Sequence, residues 1–145
     1  MGADERVGWD EALRTGVEEM DCQHRILIDT LLELEGKRGT GDAARRFEEI
    51  TRDLLAYAKY HFETEEQLIK RHGYDRAERQ QAAAHLRQHR DFARRIVDLR
   101  ARVQADEAAS QEALLSFLRQ WWRGHICTTD QLLARFIRSK QASGR

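Results

Sequence analysis

The sequence predicts an all-α protein, an up-down-up-down antiparallel four-helix bundle with an extended N-terminal segment packed on it. Three observations carry this reading. Proline is absent from the 145 residues. Glycine and Asp/Ser clusters separate long stretches rich in Ala, Leu, Glu, Gln and Arg, all strong helix formers. No alternating run of β-branched residues of the strand type occurs.

Each element follows from apolar residues recurring at three- and four-residue spacing. A first helix is predicted from near residue 21 to 35, along Ile26, Leu27, Thr30, Leu31 and Leu34, and residues 36–41 read as a turn. Asp42 is suited to cap a second helix through Phe47, Ile50, Leu54, Tyr57, His61, Leu68 and Ile69, ending near His72 and Gly73. A third helix is predicted over about 75–103, with His85, His89, Phe92, Ile96 and Leu99 on one stripe. The fourth spans about 110–138 and carries Leu114, Leu118, Trp121, Trp122, His125, Leu132, Leu133 and Phe136. Short connections between four amphipathic helices make a bundle whose interior can house a metal site. Residues 1–20 are not obviously helical, and Trp9, Leu13 and Val17 are expected to lay that arm over one face; residues 141–145 read as a frayed end. The expectation is a single domain over 1–145, with the arm at 1–20 and the bundle at about 21–140.

Composition narrows the function classes. Lys and Arg number 25 against 25 Asp and Glu, and no basic block marks a nucleic-acid or anionic-lipid footprint. Residues 1–9 contain no signal-peptide core, and no run is long and apolar enough to span a bilayer, so a cytoplasmic protein is expected. Cys22 and Cys127 form no CxxC pair and read as packed free thiols of a reducing compartment.

The chemistry lies in the histidines. Five of the six stand at helical spacings that pair them with each other or with a carboxylate, or alone on the first helix. His61 and Glu65, in HFETE, project from one side of the second helix, as do His85 and His89, in HLRQH, on the third. His125 and Asp130, in HICTTD, are five apart, about 140° around a 3.6-residue helix, which suggests a grip on different sides of something larger than one ion. His24 faces them from the first helix. A single HxxxH or HxxxE pair is commonly a surface accident, so the weight rests on the whole set. His72 has no partner at ligand spacing and suits the negative end of a helix dipole. Trp121 and Trp122 read as core packing. The arginines of 87–102 read as a solvated face with Asp91 and Asp98, and the two cysteines, two residues from His24 and His125, should point away from any metal.

These residues resemble the hemerythrin family, whose signature is a lone His on the first helix, then HxxxE, HxxxH and HxxxxD on the following three. His24, His61 with Glu65, His85 with His89, and His125 with Asp130 reproduce it in order. The flanks GVEEMDCQHRIL, HFETEEQLI and WRGHI are similar too, and Trp9 fits the amino-terminal aromatic of single-domain bacterial members. The stretch DRAERQQAAA before His85 departs from the pattern, being longer and without proline. The resemblance implies two iron ions bridged by oxide or hydroxide and by Glu65 and Asp130, one held by His85, His89 and His125 and the other by His24 and His61. Two octahedral ions need about 12 positions, of which five imidazoles, two bridging carboxylates and one bridging oxygen fill about 11. The open position then falls on the iron of His24 and His61.

The implied function is reversible dioxygen binding for storage, delivery or sensing, with O₂ held as hydroperoxide and no enzymatic turnover. Moving the bridge proton onto the bound oxygen leaves the net charge unchanged, which suits a dry pocket. Ile126, Thr129, Ile28 and Phe62 are the expected lining of the O₂ side. The alternatives are a di-iron enzyme acting on peroxide or nitric oxide, and a sensor for a separate partner. Oxygen-activating bundles usually carry carboxylate-rich sets with Glu-x-x-His pairs, which this sequence lacks. Implied partners are dioxygen, a redox partner or an oxygen-consuming enzyme, with neither nucleic acid nor membrane.

Overall fold

A computed structural model describes residues 9, 11–37, 39, 41–103 and 108–143, and among them every regular element is helical. The remaining residues of the predicted arm and the last two of the chain lie outside the described set. Helix α1 spans Glu18–Glu35, α2 Asp42–Arg71, α3 Arg79–Val103 and α4 Ala108–Gly124; α4 continues through a π turn, His125–Thr129, into α5, Asp130–Ser143. Helix α1 packs on α2 and α4, and α3 on α2 and α4, which closes the antiparallel four-helix bundle that the periodicity predicts.

The boundaries differ from expectation in four places, three of them with a local reason. Helix α1 starts three residues early because the Asp21 carboxylate accepts the backbone N–H groups of Thr15 (2.8 Å) and Gly16 (3.1 Å), bracing the chain just before the helix. Asp42 is the first helical residue rather than the cap; Gly41 precedes it at φ 60° and ψ −124°, a conformation that only glycine adopts freely. After α2, Gly73 turns at φ 74°, one helical turn forms over Tyr74–Ala77, and Glu78 breaks it at φ −129° and ψ 66° before α3 starts at Arg79. The long DRAERQQAAA stretch is thus absorbed by that extra turn. Helix α5 is ordered through Ser143, beyond the expected frayed point.

Along the bundle the interior is layered. The larger apolar cluster, with Leu31, Leu34, Phe47, Leu54, Phe92, Leu99, Leu114 and Leu118, fills one end. A smaller one, with Met20, Leu68, Ile69, Tyr74, Ala82, Leu133 and Ile137, fills the other. Helices α1, α2 and α3, and the continuous run of α4, π turn and α5, each pass from one cluster to the other and carry their site histidines and acids between them. At about 1.5–3 kcal/mol for each large apolar side chain fully buried, the two clusters hold a polar layer that could not hold itself together. Among the described residues of the predicted arm, Leu13 is buried in the larger cluster, Trp9 packs against that cluster and Val17 against the smaller; Glu11–Leu13 form a short 3-10 turn rather than extended chain. Gln131 donates through Nε2 to the Arg14 carbonyl at 3.2 Å, tying the arm down beside the π turn.

Candidate metal centre

All seven sequence-predicted residues meet in the polar layer. His24, His61, Glu65, His85 and Asp130 have no solvent exposure, and His89 and His125 have 5% and 3%. Seven ionisable groups removed from water are costly unless they neutralise one another or face an ion.

The two carboxylates divide the imidazoles into two groups. Glu65 Oε1 faces the Nε2 atoms of His85 (3.0 Å), His89 (3.0 Å) and His125 (3.4 Å), while its Oε2 faces those of His61 (3.1 Å) and His24 (3.7 Å). Asp130 divides in the same sense: Oδ1 lies 3.3 Å from His85 and 3.1 Å from His125, and Oδ2 lies 2.8 Å from His24. All five rings turn Nε2 inward. Two four-residue groups result, Glu65 with His85, His89 and His125, and His24, His61, Glu65 with Asp130, each with donor atoms within 4.8 Å of one another.

The arrangement passes a test for cations. Neighbouring donors on an octahedral ion with bonds of about 2.1 Å sit about 3 Å apart, the range seen here. Several of these atoms, His24 Nε2, His61 Nε2, Glu65 Oε2 and both Asp130 oxygens, are buried without a hydrogen-bond partner despite their closeness. Polar atoms near one another yet unaligned are aimed at a common third body. Without an ion, protons stand in. Burial opposes charge on His24, but the Asp130 and Glu65 carboxylates beside it raise it to about 9. Burial likewise opposes charge on His125, and Asp130 and Glu65 raise it to about 10. Burial works against ionised Glu65 and Asp130, and the surrounding imidazoles nevertheless hold both below the ordinary carboxylate range.

The π turn corrects one expectation. On a regular helix His125 and Asp130 would diverge by about 140°. Here the Asp130 N–H donates to the His125 carbonyl, an i to i+5 bond that widens one turn and brings both side chains onto one face. The two therefore touch the same interior volume, with His125 Nε2 and Asp130 Oδ1 3.1 Å apart.

A supporting layer, absent from the sequence reading, orients the rings. His61 Nδ1–H donates to Gln23 Oε1 at 2.6 Å, and Gln23 in turn donates through Nε2 to Thr64 Oγ1 at 3.1 Å. His125 Nδ1–H donates to Gln88 Oε1 at 2.7 Å, and the Thr129 hydroxyl donates to the same oxygen at 2.8 Å. His89 Nδ1–H donates to Glu66 Oε2 at 3.2 Å. With Nδ1 carrying the proton, each Nε2 lone pair is free for a cation. Two rings are also clamped by stacking, Phe62 on His89 with centroids 4.0 Å apart and Trp121 on His125 at 4.4 Å. Trp122 is core, as expected, whereas Trp121 is half-buried against a site imidazole.

Of the four residues expected to line an oxygen side, Ile28 and Ile126 are buried in the larger cluster. Thr129 is spent on Gln88, and Phe62 lies against His89. His72 closes α2, as expected, with its N–H on the Leu68 carbonyl. Cys22 and Cys127 are free and exposed, which corrects the expectation that they are packed; each sits on the outward side of its helix. No helix among the described residues is long and apolar enough to cross a membrane.

An all-helical bundle with a buried set of five imidazoles and two carboxylates defines a cation-binding helical protein. Comparison narrows the class. The family model for the hemerythrin HHE cation binding domain matches residues 15–137, and the chain belongs to the hemerythrin family. It is 32% identical over 144 residues to a bacteriohemerythrin of Stenotrophomonas maltophilia (strain R551-3), covering 94% of this chain and 90% of that relative. A bacteriohemerythrin of Pseudomonas aeruginosa (strain UCBPP-PA14) is 32% identical over 84% of this chain and 75% of its own. One from Methylococcus capsulatus (strain ATCC 33009 / NCIMB 11132 / Bath) is 28% identical over 81% and 86%. No solved structure matches the chain.

Proposed function

We propose that this chain, as one domain, holds two iron ions at the seven residues and binds dioxygen reversibly, as an oxygen store, carrier or sensor. One observation carries the reading: each buried carboxylate turns one oxygen to the three-histidine group and the other to the two-histidine group. Glu65 and Asp130 would bridge the ions. His85, His89 and His125 would complete the first ion, and His24 and His61 would hold the second.

Counting donors sets the asymmetry. The three-histidine side offers three imidazoles and two carboxylate oxygens, so one bridging oxygen closes an octahedron. On the other side two imidazoles, two carboxylate oxygens and the same bridging oxygen would leave about one place free for a small ligand. Two ferrous ions, when bound, supply the two electrons that dioxygen takes up and returns. The chain's own contribution is enclosure and a fixed charge. Met20, Leu27, Ile28 and Ile126, all at 0–1% exposure, exclude water near the layer, and dry surroundings slow the escape of charged oxygen species. The histidine-rich set, without Glu-x-x-His pairs, favours binding over oxygen activation.

The test is optical. Anaerobically reduced, iron-loaded protein should develop a ligand-to-iron charge-transfer band on admission of air and lose it under vacuum over repeated cycles. Irreversible oxidation on first exposure, or turnover of peroxide or nitric oxide without a stable coloured form, would contradict the reading.

A further inference from the structure

The five imidazoles are not oriented alike. His61 and His125 give their Nδ1 protons to neutral amide oxygens, of Gln23 and Gln88. Those of His24 and His85 have no hydrogen-bond partner among the described residues. Only His89, among the described residues, gives its Nδ1 proton to a carboxylate, Glu66 Oε2 at 3.2 Å. Glu66 is also unlike the two glutamines in its surroundings. Its side chain is 44% exposed, whereas that of His89 is 4% exposed. Together they line a groove of about 530 Å³ between α2 and α3, with Phe62, Phe92 and Ile96 as apolar wall. Phe62 stacks on His89 at 4.0 Å, so the ring is held between an aromatic face and a charged acceptor.

We propose that Glu66 is a positioning residue that, acting through His89, sets the electron density and hence the reduction potential of the ion on the three-histidine side. The inference rests on the two-iron reading above. A carboxylate on the Nδ1 proton pulls it away from the ring and makes Nε2 a stronger donor. A stronger donor favours the more highly charged ferric state over the ferrous one. A neutral amide orients a ring equally well but has no net charge to give. The three-histidine side thus carries an electronic bias that the two-histidine side lacks, and that bias enters from the mouth of a solvent-facing groove.

Three variants separate charge from orientation. Glu66→Gln keeps an acceptor for the His89 Nδ1 proton and removes only the charge; Glu66→Ala removes both. Glu63→Gln removes a charge from the same groove without touching an imidazole. Midpoint potential by spectroelectrochemistry, and Fe(II) affinity by titration of the metal-free protein, are the readouts. We expect Glu66→Gln to bind two ions per chain with a more positive midpoint potential, and Glu66→Ala to lose roughly 10–100-fold in affinity as well. Glu63→Gln should match the wild type. Wild-type values for both Glu66 variants, or an equal potential shift in Glu63→Gln, would overturn the proposal. A wild-type protein that takes up no iron would instead sink the two-iron reading itself.

Discussion

The two halves of the polar layer are built differently. His85, His89 and His125 come from α3 and the π turn, two of their rings are stacked on Phe62 and Trp121, and two are anchored at Nδ1 by Glu66 and Gln88. His24 and His61 come from α1 and α2 and meet each other edge to face at 4.7 Å, and only His61 has an Nδ1 anchor, Gln23. The first half has five protein donors in a clamped frame; the second has four in a looser one. In the proposed two-iron reading this division would hold one ion firmly while the other gains and loses a ligand.

The comparison breaks most completely at the shared residue. Glu65→Ala removes donors from both halves and leaves five buried imidazoles facing a single carboxylate, so iron per chain, measured by elemental analysis, should fall from two to below one. Single-sided losses should then sort by half. His61→Ala leaves three protein donors on its side and should give about one iron per chain with no reversible oxygen band. His89→Ala leaves four on the other side and should weaken retention more than loss of its outer partner Glu66 does, at unchanged initial stoichiometry; equal behaviour of His61→Ala and His89→Ala would show that the halves are equivalent.

The clamp itself is open to a stability test. Phe62→Ala opens a cavity beside His89 and should cost about 3–5 kcal/mol in denaturant unfolding of the metal-free protein. A loss below 1 kcal/mol would mean that the aromatic wall does not hold the ring.

Protons give a further contrast. In the metal-free state His24 and His125 titrate near 9 and 10 against about 6.5 when unfolded. Raised values mean that their contribution is fully present below pH 6.5 and is lost as pH climbs through 9–10. Glu65 and Asp130 are depressed, so their contribution is present above the ordinary carboxylate range and is lost on acidification. The melting temperature of the metal-free protein should therefore peak in mildly acidic solution and fall toward pH 10, whereas loading at pH 7 should release protons detectable with an indicator dye. Loading without proton release would contradict this picture of the metal-free pocket.

Much of this was legible before the fold. Periodicity marks all four helices, and spacing brings out His61 with Glu65 and His85 with His89, because side chains three or four apart share a face on any regular helix; His24, alone on its helix, joins the set through the family resemblance. His125 and Asp130 escape that rule. Their convergence depends on one i to i+5 hydrogen bond in HICTT, and nothing in the composition of those residues separates a π turn from an α turn. The anchors Gln23, Gln88 and Glu66 were invisible for another reason. A polar residue on a charged helix normally faces water, and only the packing of a second helix shows which one meets an imidazole. In hindsight each sits beside or three residues from a site residue, a weak signal. Asp42 reads as a cap from the sequence, but Gly41 occupies that position at positive φ and the helix starts without a side-chain cap hydrogen bond.

Anomalous diffraction from iron-loaded crystals soaked in azide tests the central claim most directly. The account predicts two iron peaks, one enclosed by His85, His89 and His125, the other by His24 and His61, with Glu65 and Asp130 between them and azide on the second ion alone. A single peak, or azide on the three-histidine ion, would contradict it.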